Sequence, residues 1–180
     1  MALIDCERPG TELGLKIMQF VLSCSAQQLL KLSLDVNAQD EDTETSLASF
    51  APVSTATTFN WQQATLKIGG TASTTANVVS VASGVDMTTL VTGFTFTGAN
   101  PQKTDRFGLG GAGLKSEPIS NGMRAYGLAL DGEFTDQSEI YDPFRVGDPV
   151  PIQVTFTGAQ AGTSSSNHFL VDLILSSGII

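Results

Sequence analysis

The chain has 180 residues, 41% of them hydrophobic and 15% charged, with a formal net charge of −9. That balance supplies enough apolar side chains for a real core and excludes a largely disordered chain. With 18 acidic against 9 basic residues, it also excludes a protein built to grip nucleic acid, because phosphate contacts need Lys and Arg and the counterions they displace.

Residues 1–12 read as an N-terminal arm, acidic at Asp5, Glu7 and Glu12 and interrupted by Pro9-Gly10. The apolar run Ile17 to Leu22 that follows is shorter than the ~7–15 residues of a secretory core, and the acids spoil a positive leader. It is expected to be a strand. No stretch approaches the ~20 apolar residues of a membrane helix. Cys6 and Cys24 are the only cysteines; two thiols do not make a disulfide framework in a domain of this size, and both are expected reduced.

The first clear period-two run is Leu30, Leu32, Leu34 and Val36, alternating with Lys31, Ser33 and Asp35. Successive side chains of a strand point to opposite faces, so this run offers one face to a core and one to water. Residues 37–58 are acidic and then rich in Ser, Thr and Ala. They read as a long flexible loop, of a length that is usually functional or disordered. Asp40, Glu41, Asp42 and Glu44 suggest a calcium loop. The pattern from Asp35-x-Asn37 fails, with Gln39 at position five, no glycine at six and Ser46 where a bidentate Glu belongs.

Further strands are expected where Ala64, Leu66 and Ile68 alternate with Gln63, Thr65 and Lys67, and over residues 77–82 and 87–97, rich in Val, Thr and Phe. Three more follow: Tyr126, Leu128, Leu130 and Phe134; Val150, Ile152, Val154 and Phe156; and Phe169, Val171, Leu173 and Leu175. Gly69-Gly70, Gly98 to Pro101, Asn121-Gly122 and Gly158 to Asn167 supply the breakers between them. One segment reads as a helix. Asp136 and Glu139 have capping-box spacing, Ile140 and Phe144 form an i, i+4 stripe, Pro143 limits the length and Gly147 stands where a helix would stop. The whole is one all-β domain over 1–180, mainly antiparallel, a sandwich or barrel with a short flanking helix.

The candidate chemistry is weak. Gly108, Gly110 and Gly113 spell G-x-G-x-x-G, with Asp131 and Glu133 about 20 residues on. No buried strand precedes the glycines, and Pro118 and Asn121-Gly122 follow where a helix should open, so nothing would hold a pyrophosphate. His168 with Ser164 to Ser166 and Asp172 hints at a triad. Along one strand, however, His168 and Asp172 stand about 13 Å apart, too far for hydrogen bonding. No Cys/His set has zinc spacing, and Phe59 and Trp61 lack the basic groove of a base-stacking platform. Neither catalytic, metal nor cofactor residues are assigned, and no enzyme activity is expected.

The second half has a more specific look. Asn121-Gly122-Met123-Arg124-Ala125-Tyr126-Gly127 leads into Leu128 to Phe134 and Thr135-Asp136. Ile140-Tyr141-Asp142-Pro143-Phe144, then Val146-Gly147-Asp148-Pro149-Val150, and the strand Ile152 to Gly158 follow. This order resembles the tail tube proteins of long-tailed phages, as does the earlier segment Val91 to Phe107 with its Asp105-Arg106-Phe107 ending; the resemblance spans roughly residues 60–176.

The resemblance implies a virion protein that closes into hexameric rings. These stack into a tube, with strands lining a channel for DNA and for the length-measuring (tape-measure) protein. It places the chain in the phage tail, with the host cytoplasm as the site of assembly. Its partners would be its own copies and other tail proteins, with DNA passing unbound, and no membrane or cofactor. On that reading Asp35, Asp40, Glu41, Asp42, Glu44, Asp131 and Glu133 are candidate lumen acids that repel phosphate, and Ile140, Tyr141 and Phe144 are candidate helix or interface residues. Residues 1–12 and 37–58 are candidates for ring-to-ring contacts. The alternatives are another component of tail-tube fold (a distal-tail, tail-end or secretion-system tube protein) and a receptor- or carbohydrate-binding β-sandwich.

Overall fold

A computed structural model describes residues 11–13, 15–38, 40–42, 57–75, 78–110, 115–133, 141–161 and 167–178. In chain order its strands begin with β1 (Thr11–Leu13), β2 (Lys16–Ser25), β3 (Lys31–Asn37), β4 (Asp40–Asp42), β5 (Ala64–Ile68), β6 (Thr71–Thr75) and β7 (Val78–Ala82). They continue with β8 (Val85–Asp86), β9 (Val91–Ala99), β10 (Gln102–Lys103), β11 (Ile119–Ser120) and β12 (Ala125–Gly132). Helix α1 (Tyr141–Val146) precedes β13 (Val150–Gln160) and β14 (His168–Gly178). The protein is all-β, its ladders antiparallel, and among the described residues the sheets do not close into a barrel within one chain.

Two compact units are drawn from interleaved stretches. The first comprises residues 1–23, 31–56 and 95–129; the second comprises 24–30, 57–94 and 130–180.

The first unit holds β3 and most of β2, β9 and β12, strands of a sheet ordered β12-β9-β2-β3. Antiparallel partners share a face, so the register Phe20↔Leu34 and Leu22↔Leu32 gathers apolar side chains on one side. Val21↔Ser33 and Gln19↔Asp35 lie on the other. A β-bulge interrupts the ladder between Ile17↔Val36 and Gln19↔Asp35, with Met18 the extra residue. It returns Ile17 to the apolar face although Ile17 and Phe20 are three apart. Asn100 caps the carbonyls freed there: its N–H donates to Met18 O at 2.7 Å and its Nδ2 to Ile17 O at 3.3 Å. The Phe20 ring stands 5.4 Å from that of Phe96 and lies over Gly98, where a Cβ would come within 2.2 Å of it. Only glycine leaves room for the ring.

The second unit is built around β13, which pairs with β14 on one side and β5 on the other in a sheet ordered β14-β13-β5-β8. Val154 faces Leu66 and Ile152 faces Ile68; with Phe156 they form the buried face. Phe156 is 1% exposed, its ring 5.8 Å from that of Phe94 and 6.3 Å from that of Phe59. The opposite face is polar. Asp172 accepts from Thr155 Oγ1 at 2.8 Å and from Gln153 Nε2 at 3.1 Å.

Most expected strands are present, and three local departures have physical causes. Residues 87–90 turn instead of extending, because the Asp86 carboxylate accepts the Thr88 N–H at 2.9 Å and Thr88 Oγ1 takes the Leu66 N–H at 2.9 Å. Trp61–Gln63 form a 3-10 turn with a capping box: Asn60 Oδ1 accepts the Gln62 N–H, and Gln63 Oε1 accepts the Asn60 N–H. The polar stretch after Asn100 is no plain loop, for β10 pairs with β11 and Phe107 bridges to Lys115. The expected helix appears as α1, stopped by Gly147 at φ 78°, a left-handed cap that glycine adopts without a Cβ penalty. Asp136, Glu139 and Ile140 lie outside the described residues.

Candidate assembly interface

Period two led us to expect the alternating apolar residues of β3 in a core. The structure leaves them half uncovered: Leu32 is 57% exposed, Leu34 47% and Val36 44%. The reason is position. β3 is a terminal strand of its sheet, and only β2 covers it from the side. The same apolar face runs across the first unit from Leu34 through Phe20 and Phe96 to Tyr126, whose ring stacks on Phe96 at 6.1 Å while remaining 59% exposed. The face thus comes into water at both ends of the sheet, on β3 and on β12. Neither terminal strand has a partner on its outer side among the described residues. Unpaired edges next to uncovered apolar side chains favour pairing with another chain.

The same unit carries a hairpin arm within residues 101–122, of which 111–114 lie outside the described residues. Its base is β10 with β11, and Arg106 and Phe107 pair with Ser116 and Lys115 further out. The arm is anchored by Lys16, whose Nζ donates to Pro118 O at 2.7 Å and lies 2.6 Å from a Glu117 carboxylate oxygen. That hydrogen-bonded ammonium holds the Glu117 carboxyl below the ordinary glutamate range. Pro118 is buried beneath, and an Arg106 guanidinium N–H donates to Glu117 O. At the far end Phe107 is 61% exposed and Leu109 fully so, between Gly108 and Gly110, neither of which has a neighbour near its Cβ position. Gly108 and Gly110 of the G-x-G-x-x-G pattern fall here, while Gly113 lies outside the described residues. Lys115 after it sits in a β-bridge rather than a helix.

The second unit holds a cavity of about 410 Å³ lined chiefly by apolar atoms, with Trp61, Leu66, Phe94, Val154 and Phe156 in its walls and Thr88 and Gly93 beside them. Trp61 is 43% exposed. Carboxylates stand next to the lining: Asp86 is bonded to Thr88, and an Asp131 carboxylate oxygen lies 3.4 Å from the Cβ position of Gly93. The Thr88 hydrogen bonds hold the Asp86 carboxyl below the ordinary aspartate value.

The remaining candidate residues are dispersed. Asp35 is exposed on the polar face of β3, opposite Gln19. Asp40, Glu41 and Asp42 form β4, which pairs with β1 (Thr11↔Asp42, Leu13↔Asp40), while Glu44 lies outside the described residues. Asp131 and Glu133 are exposed at and just past the end of β12, the Asp131 carbonyl accepting from Thr92 Oγ1 and the Glu133 N–H donating to Leu90 O. Tyr141 opens α1 and is half-exposed, and Phe144 lies within it. His168 Nδ1 stands 3.0 Å from Gly158 O, while Asp172 is engaged by β13. Among the described residues no three His, Cys, Asp or Glu side chains gather as a metal site.

The edges, the arm and the cavity were not assigned from sequence. The exposure of β3 depends on its place in the sheet, which alternation does not encode. The arm carries a legible signal in Phe107-Gly108-Leu109-Gly110, two apolar residues set among glycines where a buried strand cannot be. No curated protein matches the chain. The family model for the phage tail tube protein matches residues 9–176, and the chain belongs to that family.

Proposed function

We propose that this tail tube protein assembles edge to edge into rings, hexameric by analogy with the family plan, that stack into the channel through which the genome leaves the particle. Family membership makes it a structural protein of the phage tail. One observation carries the finer reading. Among the described residues the sheet β12-β9-β2-β3 ends in two strands paired on one side only, and the apolar face it presents runs out uncovered at both. Joining the β3 edge of one copy to the β12 edge of the next would continue the ladder, bury Leu32, Leu34 and Tyr126, and close on itself if the rotation between copies closes.

The polar faces then have a use. Asp35 with Gln19 and Ser33 on one strand pair would present negative charge to water and leave phosphate without the Lys/Arg contacts that retain it. The tape-measure protein would occupy the same bore before the DNA does. Residues 1–12 and 37–58 are the proposed ring-to-ring contacts; the β1–β4 pairing joins one to the other within a chain. Electron microscopy of the purified protein, with sedimentation velocity over a concentration series, tests the reading. Rings or tubes are expected, and a chain that remains monomeric at every concentration would refute it.

A further inference from the structure

The hairpin arm and the Trp61 cavity have complementary chemistry. The arm presents Leu109, fully exposed, and Phe107, 61% exposed. An apolar cavity of about 150 Å³ already admits a benzene-sized group, so the 410 Å³ at Trp61 accommodates a leucine side chain and part of the phenylalanine. Charge agrees with shape. Residues 101–122 carry three basic side chains, Lys103, Arg106 and Lys115, against Asp105 and Glu117, in a chain whose net charge is −9. Glu117 is already engaged by Lys16. The cavity is flanked instead by the exposed carboxylates of Asp86 and Asp131.

We infer that the arm of one copy docks in the Trp61 cavity of a second copy, Leu109 entering between Trp61 and Phe94 with the basic arm against Asp86 and Asp131. Knob and hole are different surfaces, so the contact is heterologous: each copy gives an arm and receives one, and the contact propagates along an assembly rather than ending in a dimer. The inference rests on the self-assembly proposed above and adds to it a second contact, separate from the sheet edges. Anchoring by Lys16, Pro118 and Arg106 presets the arm, so little ordering is lost on docking.

Trp61 is the only tryptophan and reports on the cavity directly. In the wild-type chain its emission should shift to the blue, and acrylamide quenching should fall, as the concentration crosses the assembly threshold. Leu109→Asp, with wild-type circular dichroism, should raise that threshold at least about tenfold, equivalent to about 1.4 kcal/mol, and leave Trp61 quenchable. Leu109→Met should behave as wild type. The inference is overturned if Leu109→Asp assembles at the wild-type threshold with the same Trp61 protection. It is equally overturned if wild-type Trp61 is already shielded in the monomer, as it would be with a segment of its own chain in the cavity. Absence of any wild-type assembly would instead remove the tube reading itself, and this contact with it.

Discussion

Replacing Leu32 and Leu34 together by Thr separates the contribution of β3 to folding from its contribution to assembly. Thr keeps the strand preference of the position and removes most of the apolar surface. Full burial of a leucine side chain is worth about 1.5–3 kcal/mol, and these two are 57% and 47% exposed, so roughly half of that is realised within one chain. Each residue therefore holds about 1 kcal/mol for folding and about 1 kcal/mol still to be gained when another copy covers it. The double variant should lose about 2 kcal/mol of stability, a fall in Tm of about 4–8 °C for a chain of this size. Its assembly threshold should rise about 30-fold, since 1.4 kcal/mol is a factor of ten. Differential scanning calorimetry reads the first quantity and pelleting over a concentration series the second. Threshold and morphology equal to wild type in a folded variant would show that the β3 edge is not where copies meet.

Other substitutions probe the interior and the anchor. Phe156→Ala removes the ring that touches both Phe59 and Phe94 and should cost about 3–5 kcal/mol in urea unfolding. Gly98→Ala places a Cβ against the Phe20 ring; overpacking of about 1–3 kcal/mol is expected, and Phe20→Leu in the same chain should recover part of it. The Glu117 carboxyl is held below its ordinary value by Lys16, so its contribution is complete above the unfolded-state value and fades as pH falls through the lower folded value. Thermal melts of Glu117→Gln should accordingly show a flatter acid limb than wild type, with the two curves furthest apart near neutrality. Asp35→Lys should slow genome ejection from particles without preventing tube formation, as followed by dye entry into released DNA.

Alternation along the chain was a reliable guide to which residues form strands, because one-faced burial imposes period two. It located the runs at 30–36, 64–68, 126–130 and 150–156 and separated Leu66, Val154 and Phe156 from Thr65, Lys67 and Thr155. What it could not convey is the order of strands in a sheet. Leu34 and Leu66 look alike in sequence, yet one lies on a terminal strand and is half-exposed while the other is 5% exposed on β5, an interior strand beside β13. The cavity was equally hidden, since Trp61, Phe94 and Phe156 converge from three separate stretches. The capping box at Asn60-x-x-Gln63 was legible and overlooked, masked by the expectation that β5 begins at Gln63. The turn at Met87 lay behind a Val/Thr-rich run whose Asp86-x-Thr88 bonds outweigh strand preference.

Met18 shows how a length change can be silent for one property and decisive for another. Deleting it would leave Phe20, Gln19 and Ile17 in the same alternating phase, and the ladder with β3 would simply become regular. The bracket depends on the residue: the carbonyls of Ile17 and Met18 hold Asn100, and Asn100 in turn receives Arg124 from the far side of the hairpin at 3.4 Å. Shortening the strand by that single position would take away one of the hairpin's tethers and leave Lys16 as the other, a lesion to be sought in polymerisation before melting curves.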